Sequence, residues 1–176
     1  MTSIPAGESI PRFTDRGLSK TSSRQPGNAE GFRRGCARIL PSSWFADFRY
    51  CTKAGFTHRN VRPSNIIFVN DVPKLADIDL LAGNDAALAS YIPRNYAAPE
   101  GSHSSQADIL SLGKTLYEMC TGLPVQAYPA LPPNVRYCHD HRLLLKLNKI
   151  LARACARDLR KRYNSAQMLN ALECID

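Results

Sequence analysis

One helix governs how this chain can fold. Between Ser104-Ser105 and Gly122, the stretch SSQADILSLGKTLYEMCTG sets Ile109, Leu112, Leu116 and Met119 at helical spacing. The serines can cap its first turn, and Gly122 ends it. The helix is expected to be largely buried, which requires the other elements to pack around it.

Those other elements are short. Apolar residues from Ile39 to Tyr50 suit a helix that starts after Pro41 and stops at Gly55. NIIFVN and VPKLADI read as two strands joined by a turn at Asn70-Asp71. A loop is expected from Asp79 to Ser105. PVQAYPALPPN has four prolines in eleven residues, which excludes regular structure and predicts an extended surface connection. Two further helices are predicted at about His141 to Ala156 and Ser165 to Glu173. The expected fold is mainly α with short β-hairpins.

A length of 176 residues with 44% apolar and 22% charged residues implies one globular domain. Residues 1–35, rich in Ser, Thr, Gly, Pro and Arg with no apolar period, read as a basic, weakly ordered tail, leaving 36–176 as the domain. The net charge of +8 is scattered, with no N-terminal run longer than Arg33-Arg34. Arg142, Lys146, Lys149, Arg153 and Arg157 fall along one helical face, read as a solvated one, so nucleic acid is not expected as a partner. Six cysteines without a CxxC pair suggest reduced thiols and no zinc site. With no signal-peptide core and no run of eighteen apolar residues, the chain is expected to be cytoplasmic and not to bind a membrane.

The chemistry is concentrated in HRNVRPSN, residues 58 to 65. A His-Arg pair, a Pro and an Asn surround a place where a carboxylate would be expected, and Asn60 stands there. GFTHRNVRPSNIIF resembles the catalytic loop of protein kinases, and KLADIDL sits where that family has Asp-Phe-Gly. YAAPE is similar to the end of the activation segment, ADILSLGKTLYEMCTG to the long helix behind the loop, and DLRKRY to an Arg-bearing turn near the domain's end. The motifs come in the family's order, and the resemblance covers roughly residues 36 to 173.

The resemblance implies the large lobe of a kinase and a role for each matching residue. Asn60 occupies the position of the base, and its amide cannot take a proton near neutral pH. Arg62 takes the position of the lysine that steadies the phosphoryl group, and Arg59 is the loop arginine. Asn65 and Asp77 match the magnesium ligands, while Ile78 and Asp79 replace the Phe and Gly after that Asp. His58 is implied as a packed core residue, Asp108 as an acceptor for the loop backbone, and Glu100 as the partner of Arg162. Ahead of the loop there is no Gly-x-Gly-x-x-Gly and no Val-Ala-x-Lys, so the small lobe that covers ATP is expected to be absent. Binding of ATP and Mg is accordingly expected to be weak or absent. The expectation is an inactive, pseudokinase-like module that binds a protein partner. The alternative is a Ser/Thr kinase whose small lobe comes from another chain, with Ser90 the only Ser or Thr of its activation segment.

Overall fold

The computed structural model describes residues 48–49, 52, 56–70, 72–76, 82–83, 93–101, 104–133, 135 and 141–175. The tail over 1–35, and Asp77, Ile78, Asp79 and Ser90, lie outside the described residues. Of the helix expected between Pro41 and Gly55, Phe48, Arg49 and Thr52 are described, and all three are helical. The Thr52 hydroxyl lies 3.1 Å from the carbonyls of both Phe48 and Arg49.

Four short strands form two separate pairs. β1 (Phe56–Thr57) runs antiparallel to β4 (Ala82–Gly83), and β2 (Ile66–Val69) to β3 (Val72–Leu75). In the second hairpin Ile66 faces Leu75 and Val69 faces Val72. Asn70 takes φ 50, the left-handed conformation that Asn tolerates better than most residues, and so turns the chain. Pro73 opposes Phe68, a position open to proline because a two-stranded ribbon has only edges. The β1–β4 pair lies partly inside the stretch expected to be loop. Strands of two residues are too short to show alternation, and only the paired partner creates them.

The long helix is α1 (Ser105–Thr121). The Ser104 side chain accepts from the N–H of Ala107, and Gly122 closes the helix at φ 68 with its N–H on the Glu118 carbonyl. Ile109, Leu110, Leu112, Leu116, Tyr117 and Cys120 are all buried, so nearly the whole circumference is covered. The hydroxyls of Ser111, Thr115 and Thr121 are buried too, and each donates to the carbonyl four residues back. Such back-bonding lets polar side chains sit inside a core without an unsatisfied group.

α2 (His141–Ala154) buries Leu144, Leu147, Ile150, Leu151 and Ala154 against α1 and exposes Arg142, Lys146, Lys149 and Arg153. It stops two residues sooner than expected. α3 (Ser165–Glu173) starts with a reciprocal cap, in which Asn164 accepts from the N–H of Gln167 while the Gln167 side chain accepts from that of Asn164. Where α1 meets the end of α2, a Cβ on Gly113 would fall 2.8 Å from Cys155 Sγ and 3.1 Å from Ala154 Cβ. Glycine is what allows that approach.

The proline-rich connection is not wholly irregular, contrary to the sequence expectation. Val125–Ala127 forms one 3₁₀ turn, with Pro124 as its N-cap and Val125 buried. Proline supplies a φ that suits the start of such a turn, where no intrahelical donor is needed. Among the described residues, no helix is long and apolar enough to cross a membrane.

Candidate functional site

The loop from His58 to Asn65 leaves β1 and enters β2, and its shape is imposed from behind by α1. The backbone N–H groups of His58 and Arg59 donate to the two carboxylate oxygens of Asp108, at 2.6 and 2.9 Å. Arg59 has φ 62, an uncommon conformation for a residue with a side chain, which costs on the order of 1–3 kcal/mol. Two charge-assisted hydrogen bonds, each contributing roughly 1.5–3 kcal/mol, are enough to hold it. Burial raises the Asp108 carboxyl to about 6, while the His58 and Arg59 N–H groups and the Arg59 charge pull the other way.

Side chains complete the loop's anchorage. Arg59 is buried and its Nε donates to the Thr57 hydroxyl at 3.0 Å. His58 Nε2 lies 2.9 Å from the Ala76 carbonyl. A carbonyl can only accept, so Nε2 carries the proton and ties the loop to the end of β3. Thr115 on α1 reaches the Val61 carbonyl at 3.3 Å.

At the loop's far end, Pro63 opens a 3₁₀ turn, Pro63–Asn65, that delivers Asn65 to a buried position. Asn65 Nδ2 donates to the Asn60 carbonyl at 2.8 Å, and the Asn65 carbonyl accepts from Ala76 N–H at 2.8 Å. Asn65 Oδ1, a neutral oxygen of the kind a hard cation takes, accepts from the Ser64 hydroxyl at 3.4 Å. Asn65 has the donor type that magnesium takes, and Asp77 lies outside the described residues. No group of three or more His, Cys, Asp or Glu arranged for a metal occurs among the described residues.

Asn60 is buried in the middle of this loop. An amide in that place takes no proton near neutral pH. Both Asp108 oxygens are engaged behind the loop, and the His58 Nε2 proton is committed to Ala76. Arg62 is half-buried, its Nε is without a hydrogen-bond partner among the described residues, and its charge acts on Tyr96. The Tyr96 hydroxyl donates to the Glu118 carboxylate on α1, and burial, followed by that carboxylate, raises the phenol's pKa.

A second anchor holds the segment that ends at Glu100. Arg162 Nη1 and Nη2 meet the Glu100 oxygens at 2.6 and 3.2 Å. The same guanidinium donates to the carbonyls of Gln106 at 3.0 Å and Ala156 at 2.9 Å. Its side chain is 0% exposed and that of Glu100 20%. Partial burial pushes the Glu100 carboxyl up, but the Arg162 hydrogen bonds and charge outweigh it and the net shift is downward.

The structure thus brings His58, Arg59, Asn60, Asn65 and Asp108 into one cluster and joins Glu100 to Arg162. The sequence reading did not single out Thr57, Tyr96, Thr115 or Glu118. Thr57 accepts from Arg59 two residues on, while Tyr96, Glu118 and Thr115 act through one hydroxyl or carboxylate on a partner far along the chain, a bond that no spacing announces.

No protein-family model matches the chain. Curated proteins do. It is 29% identical over 125 residues to a Wee1-like protein kinase of Arabidopsis thaliana, covering 66% of this chain and 25% of that protein. Mitogen-activated protein kinase kinase kinase 8 of Rattus norvegicus is 36% identical over 95 residues, 47% of this chain and 20% of its own length. The dual specificity mitogen-activated protein kinase kinase dSOR1 of Drosophila melanogaster is 41% identical over 85 residues, 44% of this chain and 20% of its own. The chain spans a quarter or less of these relatives' length.

Proposed function

This chain carries a protein-kinase-like domain, in whole or in part, and we propose that it does not turn over and acts by binding a protein partner in the cytoplasm. The observation that carries this reading is Asn60. It stands buried in a loop that Asp108 holds from behind, where the family resemblance places the base. A positioned base contributes about a hundredfold to ten-thousandfold, and an amide supplies none of it. Where they bind, ATP would supply the transferable phosphoryl group and magnesium would neutralise the charge of its phosphates. Here Asn65 would offer one neutral oxygen and Arg62 a positive charge, and we expect binding to be weak or absent.

The test is phosphate transfer from ATP to a protein substrate, with thermal melts of the same sample at several ATP concentrations, with and without magnesium. No transfer and an unmoved midpoint are expected, since a ligand that binds only the folded state must raise the midpoint. Transfer by the chain alone would overturn the reading.

A second reading is favoured by exposed apolar residues on the strands. Phe56, Ile67 and Val69 are 43%, 37% and 44% exposed. A covering surface from another chain would bury them and could complete a Ser/Thr kinase. Phosphorylation by such a mixture that is lost with Asp77→Ala would support it.

A further inference from the structure

A cavity of about 520 Å³ lies between the segment around Arg94 to Pro99, α1, the Val125–Ala127 turn and the end of α2. It is separate from the loop of Asn60. Leu110 and Lys114 line it from α1, and Leu110 stands about 200° round the helix from Asp108, which faces the loop. The lining also holds Arg94 and Arg157, so three cations meet at one cavity, and the described residues that line it include no carboxylate.

The placement of these cations differs in a useful way. Arg94 and Arg157 are exposed, at the rim. Lys114 is half-buried and donates to the Asn95 carbonyl at 2.6 Å, which leaves the other ammonium hydrogens for a ligand. Burial lowers the Lys114 pKa, a cost that an anion arriving beside it would offset. Leu110 and Val125 add apolar wall, and Gln126 and Tyr128 add polar atoms.

We propose that this cavity is a binding site for a phosphoryl group carried on an organic body. A carboxylate would neutralise one of three cations. A phosphomonoester brings a charge of roughly −1.5 to −2 and three acceptor oxygens, matching two guanidinium forks and an ammonium. The volume exceeds what inorganic phosphate needs and falls in the range of roughly 300–1,000 Å³ typical of small-ligand sites. The apolar wall suits the ligand's carbon portion. The site stands whether or not the loop around Asn60 binds nucleotide.

The experiment is calorimetric titration of the full chain with three probes: inorganic phosphate, a short peptide carrying one phosphoserine, and the same peptide unphosphorylated. The phosphopeptide is expected to bind at least about tenfold more tightly than its unphosphorylated form, since a hydrogen bond to a charged group contributes roughly a factor of ten or more. The exposed pair Arg94→Gln/Arg157→Gln is expected to melt like the wild type and to weaken binding by a further factor of about ten or more. Lys114→Met tests the floor independently. Inorganic phosphate binding as tightly as the phosphopeptide, and equally lost in the double variant, would make free phosphate the ligand and overturn the assignment of an organic body. Absence of binding by both phosphate probes, or binding unchanged in the double variant, would overturn the proposal.

Discussion

The backbone N–H of His58 points at Oδ2 of Asp108 from 2.6 Å, across fifty residues of sequence, and the next N–H, of Arg59, meets Oδ1 of the same carboxylate. One side chain of the central helix therefore fixes two successive peptide groups of the loop. Asp108→Ala would leave both N–H groups buried and unsatisfied, at a cost of about 2–6 kcal/mol. Asp108→Asn keeps one acceptor but turns an NH2 toward the other N–H, so it is expected to lose more than half as much. Urea unfolding of the three proteins checks this, and an unchanged midpoint for Asp108→Ala would show that the loop relaxes freely.

Glu100 and Arg162 make stability depend on acid. The Glu100 carboxyl is held below its ordinary value of 4.5, so the folded state releases its proton more readily than the unfolded state. This contribution is fully present above about pH 4.5 and is lost as pH falls through the lowered folded value. Glu100→Gln is expected to flatten that part of the stability profile. At neutral pH it should cost about 1–3 kcal/mol, between the values for exposed and buried pairs. An unaltered acid slope in this variant would assign the pH dependence to other carboxyls.

Gly113 is the tightest point between α1 and α2. Alanine would gain about 1 kcal/mol of helix propensity but would press on Cys155 Sγ and Ala154 Cβ. Overpacking of this kind costs about 1–3 kcal/mol, so Gly113→Ala should be destabilising on balance. In a Cys155→Ala background the sulfur is gone and the same substitution should become nearly neutral. A double-mutant cycle by chemical denaturation measures the difference. Equal effects in both backgrounds would exclude the thiol as the obstacle.

Asn60→Asp is expected to produce no phosphate transfer by itself. It restores a carboxylate but none of the groups that hold the nucleotide's phosphates, and the sequence before the loop has no Gly-x-Gly-x-x-Gly run. A phosphate-transfer assay of the single variant decides the matter.

What was legible in the sequence was local. α1 could be placed almost to the residue because Ser104 and Gly122 act on their own helix ends, and β2 and β3 because Asn70 turns the chain between them. Asp108 and the Glu100–Arg162 pair were found through the family resemblance, since partners fifty or sixty residues apart leave no mark in spacing. Where no motif helped, the reading fell short. The β1–β4 pair is too short to alternate, and the turn at Val125 is set by Pro124 in a stretch that looks wholly irregular. The Tyr96–Glu118 contact joins two residues that are each ordinary in isolation.

Arg162 binds three segments at once: the stretch ending at Glu100, the first turn of α1 at Gln106, and the chain just beyond α2 at Ala156. None of the three can lift away without stripping a buried guanidinium of its acceptors. Their amide protons should therefore exchange with solvent through one common opening event, and denaturant should expose them together.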